Sequence, residues 1–360
     1  MPIPSPSPIE RTIAFYRRGA WAAMRHDPVR HCVRIFRRRR QERIEAIRLA
    51  PLSPHPADRT VAAPAALRPP RYYYRGFQGP WLEEHFYRTW GGRTVGGASY
   101  VPIFFDSLFF HAQSHAFLPT EFASRYRALW RLLDRLGATD QAYFTLLGMY
   151  EFPIWEWHMF PRNVIVMAAA GHGDIAIPLL KGDRKFSRQR KETLVSFMGS
   201  LTGFSNVLNV RSEMSAAFAD VARIGAGDDW ATVMAQSHFS LCPRGQGPTS
   251  FRLFEALSVG SIPVYIWRER SWLPYARELD WSAFSLVVEA SQLLVAKQTI
   301  LGMAPAERDR MQDRIAGIYP DYFSYDGVCA RISRQVAGAA TSRDAAEFTA
   351  GRHCDPLSIP

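Results

Sequence analysis

Arg252 and Glu255 stand three residues apart in the segment HFSLCPRGQGPTSFRLFEALSVGSIPVYI, residues 238–266, whose order of residue types describes a place for an anion. A buried strand from Phe239 to Cys242 ends in Pro243, and the loop after it holds Gly245 and Gly247. Thr249 or Ser250 then caps a helix that runs to about Val259 and stops at Gly260. A junction of strand, glycine loop and helix N-terminus turns backbone N–H groups and the positive end of the helix dipole toward one spot, which suits a phosphate or diphosphate. Arg252 in the first turn and Glu255 project from one face. There the guanidinium can hold phosphate oxygens bidentately, and the carboxylate can accept hydrogen bonds from a ribose diol. Taken alone, such a pair is more often an i,i+3 surface ion pair worth a few tenths of a kcal/mol. The glycine loop and the strand beside it favour a nucleotide diphosphate pocket.

The elements that position this segment read as α/β. The strands expected upstream are 163–170 (NVIVMAAA), Asp174 to Leu179 and Thr193 to Met198; those expected further on are Pro263 to Ile266 and Ser285 to Val288. Helical stretches lie between them, including Thr120 to Leu136, Ser212 to Arg223 and much of 291–317. YVPIFF, residues 100–105, also reads as a strand. Alternation of this kind builds parallel sheets covered by helices, here as two halves joined near 180–190. At 360 residues, 47% hydrophobic and 21% charged, the chain is long and apolar enough for two cores, which excludes a disordered chain or a small disulfide-stapled module. The expected division is an arm and linker over 1–65, an acceptor-side domain over 66–185, a nucleotide-sugar domain over 186–330 and a helical tail over 331–360.

The net charge of +11 is unevenly placed: thirteen Arg and five acids put +8 in the first 60 residues, leaving +3 for the remaining 300. Residues 9–50 read as a basic, mostly helical arm broken at Pro28. An anionic membrane surface would suit it; so would packing on the body. No nucleic-acid motif accompanies the charge, so no nucleic acid is expected. Residues 51–70 are Pro- and Ala-rich, as a linker is. Cys32, Cys242, Cys329 and Cys354 include no CxxC pair, which disfavours a disulfide framework or a zinc site. With no signal-like or spanning apolar run, the expected location is cytoplasmic, peripheral at the inner face of a membrane.

The run LCPRGQGPTSFRLFEALSVGSIPVYI resembles the C-terminal signature of exostosin-like glycosyltransferases, family 47. In that family a Pro/Gly loop, an Arg and a Glu-Ala-Leu precede Gly-x-Ile-Pro-Val. Upstream, Phe197 and Gly199 followed by Arg211 are similar to its Phe-x-Gly strand and downstream Arg. Downstream, 273–293 is similar to its segment with Asp-Trp-x-x-Phe, and 311–325 to its closing helix. The likeness covers about 160–325, thins over 70–160 and leaves out 1–65. Ser261 stands where the family often has Cys, and the basic arm stands where it usually has a membrane anchor.

The resemblance implies a GT-B fold, two Rossmann-like domains facing across a cleft, with a UDP-sugar on the C-terminal half. It implies inverting transfer to a polysaccharide or lipid-linked glycan, with no metal cofactor. The donor side is expected to use Arg211, Arg244, Gly245, Gly247, Thr249, Ser250, Arg252 and Glu255. Inversion also needs a base near the acceptor hydroxyl. Candidates from the N-terminal half are Asp106, Glu151 and His158, with His111 and Asp174 behind them. Glu151 and His158 flank EFPIWEWH, whose aromatics suit a sugar cleft or a core; His172 and Asp174 in GHGD suit a binding loop or a plain turn. Two other readings compete: a catalytically silent glycan- or sugar-nucleotide-binding subunit, and a basic membrane-surface adaptor.

Overall fold

The computed structural model describes residues 7–49, 61, 63–72, 79–90, 94–148, 159–169, 171–182, 184–202 and 206–341. Two helices open the chain, α1 (Pro8–His26) and α2 (Pro28–Leu49). Asp27 separates them, its carboxylate accepting the Arg30 N–H at 2.9 Å while Pro28 starts the second helix. After them come α3 (Leu82–Trp90), β1 (Thr94–Val95), β2 (Ala98–Tyr100), α4 (Phe105–Gln113), α5 (Pro119–Gly137), β3 (Tyr143–Leu147), β4 (Val164–Ala168) and β5 (Ile175–Ala176). Strands β2 to β5 pair in parallel in chain order, and β1 adds an antiparallel edge.

The second half holds β6 (Thr193–Met198), α6 (Val210–Ala217), β7 (Ala222–Gly225), α7 (Trp230–Ala235), β8 (Ser237–Pro243), α8 (Phe251–Ser258), β9 (Ile262–Trp267) and β10 (Leu286–Glu289). The helices α9 (Leu293–Gly302), α10 (Pro305–Tyr322) and α11 (Tyr325–Thr341) complete the described residues. This sheet is all parallel in the order β10-β9-β8-β6-β7, so the chain winds outward in opposite directions from β6 and β8. A crevice opens outside the carboxyl ends of two strands where the order reverses, here beyond Met198 and Pro243. The architecture is the expected GT-B type, two helix-covered α/β halves with a cleft between them.

Three expected elements are shorter than their sequence suggests. The strand over 100–105 ends at Tyr100 because Pro102 has no N–H and α4 begins at Phe105. Between Asp174 and Leu179 only Ile175–Ala176 pairs, since the Asp174 carboxylate accepts the Val166 N–H at 2.8 Å and Pro178 follows. The helix expected through Arg223 stops at Ala217, and Ala222–Gly225 is instead the edge strand β7.

The arm and the last helix both pack on the first half. Ile13 and Tyr16 of α1 share one buried cluster with Leu67, Phe109 and the inner face of α5. On α11, the Tyr325 hydroxyl donates to the Pro80 carbonyl at 2.5 Å and accepts the Gly182 N–H at 3.0 Å. No described helix is long and apolar enough to cross a membrane.

Candidate functional site

A cleft of about 1150 Å³ lies at the switch point. One wall is the loop after β8 and the start of α8, with Gly199 and Ser200 beyond β6; the other is Gly148 beyond β3 together with Tyr72, Phe110 and α1.

The loop is held from behind. Gly245 donates its N–H to the Thr249 carbonyl at 2.9 Å, and a Cβ at Gly245 would stand 3.2 Å from that oxygen, so the tight turn favours glycine. Arg244, expected among the donor-binding residues, belongs to this support. It is 1% exposed, with Nη1 on Glu269 at 2.8 Å and Nη2 on the Gln246 carbonyl at 2.9 Å, and it does not line the cleft. Its side chain shapes the loop and turns away from the ligand space.

The remaining donor-side candidates, Arg211, Gly245, Gly247, Thr249, Ser250, Arg252 and Glu255, all line the cleft. Ser250 is the N-cap of α8, yet its side chain makes no cap hydrogen bond. Ser250 Oγ, Thr249 Oγ1 and Glu255 Oε1 are buried without a hydrogen-bond partner among the described residues. Buried polar atoms are satisfied almost everywhere in folded proteins. Three orphans on one wall, beside a helix N-terminus, describe a place that receives a polar ligand.

Arg252 donates Nε to the Met198 carbonyl at 2.5 Å, rests on the Trp230 ring at 4.6 Å and donates Nη1 to Glu255 Oε2. The i,i+3 ion pair therefore exists, but Glu255 is 3% exposed and the pair lines the cleft. Arg211 donates to the Ser200 carbonyl at 2.7 Å and to the Arg244 carbonyl at 3.3 Å, with its guanidinium 5.6 Å from the Phe197 ring centre. Lys181, missed by motif reading, lines the same wall 5.8 Å from the Phe251 ring, and burial lowers its pKa. Lys181, Arg211 and Arg252 thus surround the helix terminus with positive charge.

Tyr72 and Phe110 form the facing wall, stacked at 5.2 Å with Trp81 stacked behind Phe110 at 5.2 Å. Flat aromatic faces of this kind suit a sugar ring, and no motif identified them; only the fold brings residues 72, 81 and 110 together. EFPIWEWH, with Glu151 and His158, lies outside the described residues.

Asp106 is buried directly behind the cleft wall. A Cβ on Gly148 would stand 2.6 Å from its carboxyl carbon, so the carboxyl lies against the back of this cleft-lining glycine. Its backbone N–H donates to Glu83 Oε1 at 3.0 Å, while Asp106 Oδ1 and Glu83 Oε2 have no partner among the described residues. The two acids sit in the first turns of α4 and α3 around a pocket of about 10 Å³. Burial pushes the Asp106 carboxyl up to about 7, and burial, then the neighbouring Asp106, raises Glu83.

The other candidates serve the scaffold. His111 is 6% exposed with Nε2 on the Pro70 carbonyl at 2.9 Å, and burial depresses it to about 3. Asp174 binds β4 as above. His172 faces Arg270 at 3.5 Å, and burial lowers it to about 4. No cluster of three or more metal-ligating side chains occurs among the described residues.

Residues 155–302 match the family described as "Exostosin GT47 domain". Exostosin-1 of Drosophila melanogaster is 37% identical over 81 residues, 22% of this chain and 10% of its own. A probable glycosyltransferase of Arabidopsis thaliana is 34% identical over 82 residues, 23% of this chain and 17% of its own. The chain thus aligns with less than a fifth of the length of these two proteins. Among solved structures, a glycosyltransferase from Rickettsia africae overlaps at a TM-score of 0.36 with 12% identity, covering 62% of this chain and 75% of that one.

Proposed function

We propose, from the premise that residues 155–302 form an exostosin-like glycosyltransferase domain of family 47, that this chain moves a sugar from a UDP-sugar to a hydroxyl of a polysaccharide or lipid-linked glycan. The observation that carries the reading is the set of orphaned polar atoms, Thr249 Oγ1, Ser250 Oγ and Glu255 Oε1, lining a cleft at the N-terminus of α8. In this reading the diphosphate lies against the N-terminus of α8 and the loop between Gly245 and Ser250. Arg252, Arg211 and Lys181 neutralise it, and Glu255 takes the ribose diol.

The transfer itself inverts the anomeric carbon. The acceptor oxygen attacks from the side opposite the diphosphate, the bond from the anomeric carbon to the phosphate oxygen breaks, and UDP departs with the electron pair. Positive charge on the leaving diphosphate is supplied by the three cationic side chains and the helix terminus, so the step needs no metal cofactor. The hydroxyl proton goes to a base on the acceptor half. Asp106, behind Gly148 of the cleft wall, is the described candidate for this base, and burial raises its carboxyl to about 7. Tyr72 and Phe110 stack on the acceptor sugar.

The test is turnover: purified protein is incubated with a panel of UDP-sugars and glycan acceptors, and released UDP is measured. Acceptor-dependent UDP release that falls at least 100-fold in Asp106→Asn, with UDP binding retained, supports this reading. UDP binding without release from any donor would identify a silent sugar-nucleotide-binding subunit instead.

A further inference from the structure

The outward face of α2 has no part in the cleft. His31, Ile35 and Arg38, spaced as one helical face, turn toward the body and are 1, 8 and 2% exposed. Arg38 donates Nε to the Ala116 carbonyl at 3.0 Å and Nη2 to both Glu121 oxygens at 2.7 Å, and Arg34 donates to the Ser114 carbonyl at 3.1 Å. These contacts fix which side of α2 is left outside. At about 100° per residue, Val29, Val33 and Phe36 emerge on the opposite side. They are 74, 41 and 68% exposed. Exposed Arg30 and Arg37 flank this stripe on one edge and Arg39 on the other. Trp21 of α1 adds another large exposed apolar surface, 45% accessible.

We propose that this face docks on an anionic bilayer, with Val29, Val33 and Phe36 in the boundary between headgroups and acyl chains and the arginines on lipid phosphates. An apolar stripe edged by cations is the pattern of a helix lying in the membrane interface. Charge density supports this occupant: between residues 11 and 40 the chain has ten Arg and one acid, Asp27, which caps α2; Glu10 before the stretch pairs with Arg127 at 3.1 Å, and Glu42 and Glu45 follow it further along α2. A second copy of the chain seated on this face would bring arginine against arginine, whereas phosphatidylglycerol or a similar lipid brings the complementary charge.

Docking has a consequence for the acceptor. Phe15, Arg18, Gly19 and Ala22 of α1, the partner of α2 in the hairpin, line the cleft. A membrane-bound α2 therefore holds the arm side of the cleft beside the lipid surface, where a lipid-linked acceptor would enter. This consequence rests on the proposed transferase reading; the docking itself does not.

The test is co-sedimentation of the full chain with phosphatidylcholine vesicles, with and without phosphatidylglycerol. Two variants accompany it: the triple Val29→Ser, Val33→Ser, Phe36→Ser and the triple Arg30→Gln, Arg37→Gln, Arg39→Gln. All six side chains are exposed, and a UDP-induced shift in melting temperature equal to wild type reports an intact fold and cleft. Wild type is expected to bind only the phosphatidylglycerol vesicles, more weakly at high salt, and the arginine triple to bind roughly 100-fold less. The apolar triple should also lose binding. Equal binding to both vesicle types, or wild-type binding by the apolar triple, overturns the proposal. So does a concentration-dependent dimer that the apolar triple abolishes. Vesicle binding without any UDP shift would instead sink the transferase reading alone.

Discussion

Arg252 and Glu255 hold each other within α8, and the pair leaves one carboxylate oxygen over: Oε2 receives the Arg252 guanidinium, while Oε1 is buried at the cleft with no partner among the described residues. If Oε1 accepts a ribose hydroxyl, the protein must prefer ribose to deoxyribose. Wild type should bind UDP roughly 10–100-fold more tightly than 2′-deoxy-UDP, the usual worth of a hydrogen bond to a charged group. Glu255→Ala should bind the two equally. Competition binding with both nucleotides measures this, and an undiminished preference in Glu255→Ala would assign the diol elsewhere.

Asp106 makes stability depend on pH in a defined direction. Its carboxyl is raised from 3.8 in the unfolded chain to about 7 in the fold by burial. The folded state therefore gains from the protonated form, a gain complete below about pH 4 and lost as pH rises through about 7. Asp106→Asn cannot ionise. Urea unfolding from pH 4 to pH 8 should show wild type losing a few kcal/mol relative to the variant across this window. Parallel curves would mean that Asp106 is not held protonated.

Gly148 leaves no room for a larger residue. A methyl group there would meet the Asp106 carboxyl carbon at 2.6 Å, so this buried side chain would have to shift. Gly148→Ala should cost about 1–3 kcal/mol, the range for overpacking. Gly148→Ala with Asp106→Ala should recover most of that loss. Chemical denaturation of both variants tests the coupling.

Arg38 anchors the arm. Its guanidinium is buried on Glu121 and rests 4.7 Å from the Phe117 ring centre. Removing it leaves Glu121 with Arg125 at 3.2 Å and strips the contact between α2 and α5. Because Glu121 keeps Arg125, Arg38→Ala should destabilise by about 1.5–3 kcal/mol, the worth of hydrogen bonds to a charged group, with residues 8–49 becoming sensitive to protease before the body. Arg38→Met, which keeps the apolar stem, should lose less. Limited proteolysis followed by mass analysis distinguishes these outcomes.

Legibility in the sequence followed locality. Thr193–Met198 is the strand its apolar run describes, and α8 begins and ends within a residue or two of its cap and of Gly260. These signals are set by neighbours in the chain. β7 was hidden because Ala222–Gly225 follows an alanine-rich run that suits a helix, and only pairing with β6 makes it a strand. Arg244 reads like its neighbour Arg252, and only burial behind the loop distinguishes them. The aromatic wall of Tyr72 and Phe110, the cation at Lys181 and the contribution of α1 to the cleft arise from contacts between distant segments, which no local pattern encodes. The basic arm reads as equally suited to a membrane and to the body; in the fold α2 packs one face on the body and leaves the opposite face exposed.

Calorimetric titration with UDP and with uridine, on wild type and Arg252→Gln, tests most directly whether a nucleoside diphosphate binds at the N-terminus of α8. Wild type is predicted to bind UDP and to bind uridine far more weakly, because the helix terminus, Arg252 and Arg211 act on the diphosphate. Arg252→Gln should weaken UDP roughly 10–100-fold and leave uridine unchanged. Folded protein that binds neither UDP nor a UDP-sugar, or an Arg252→Gln variant that binds UDP as wild type does, would contradict the assignment of this cleft.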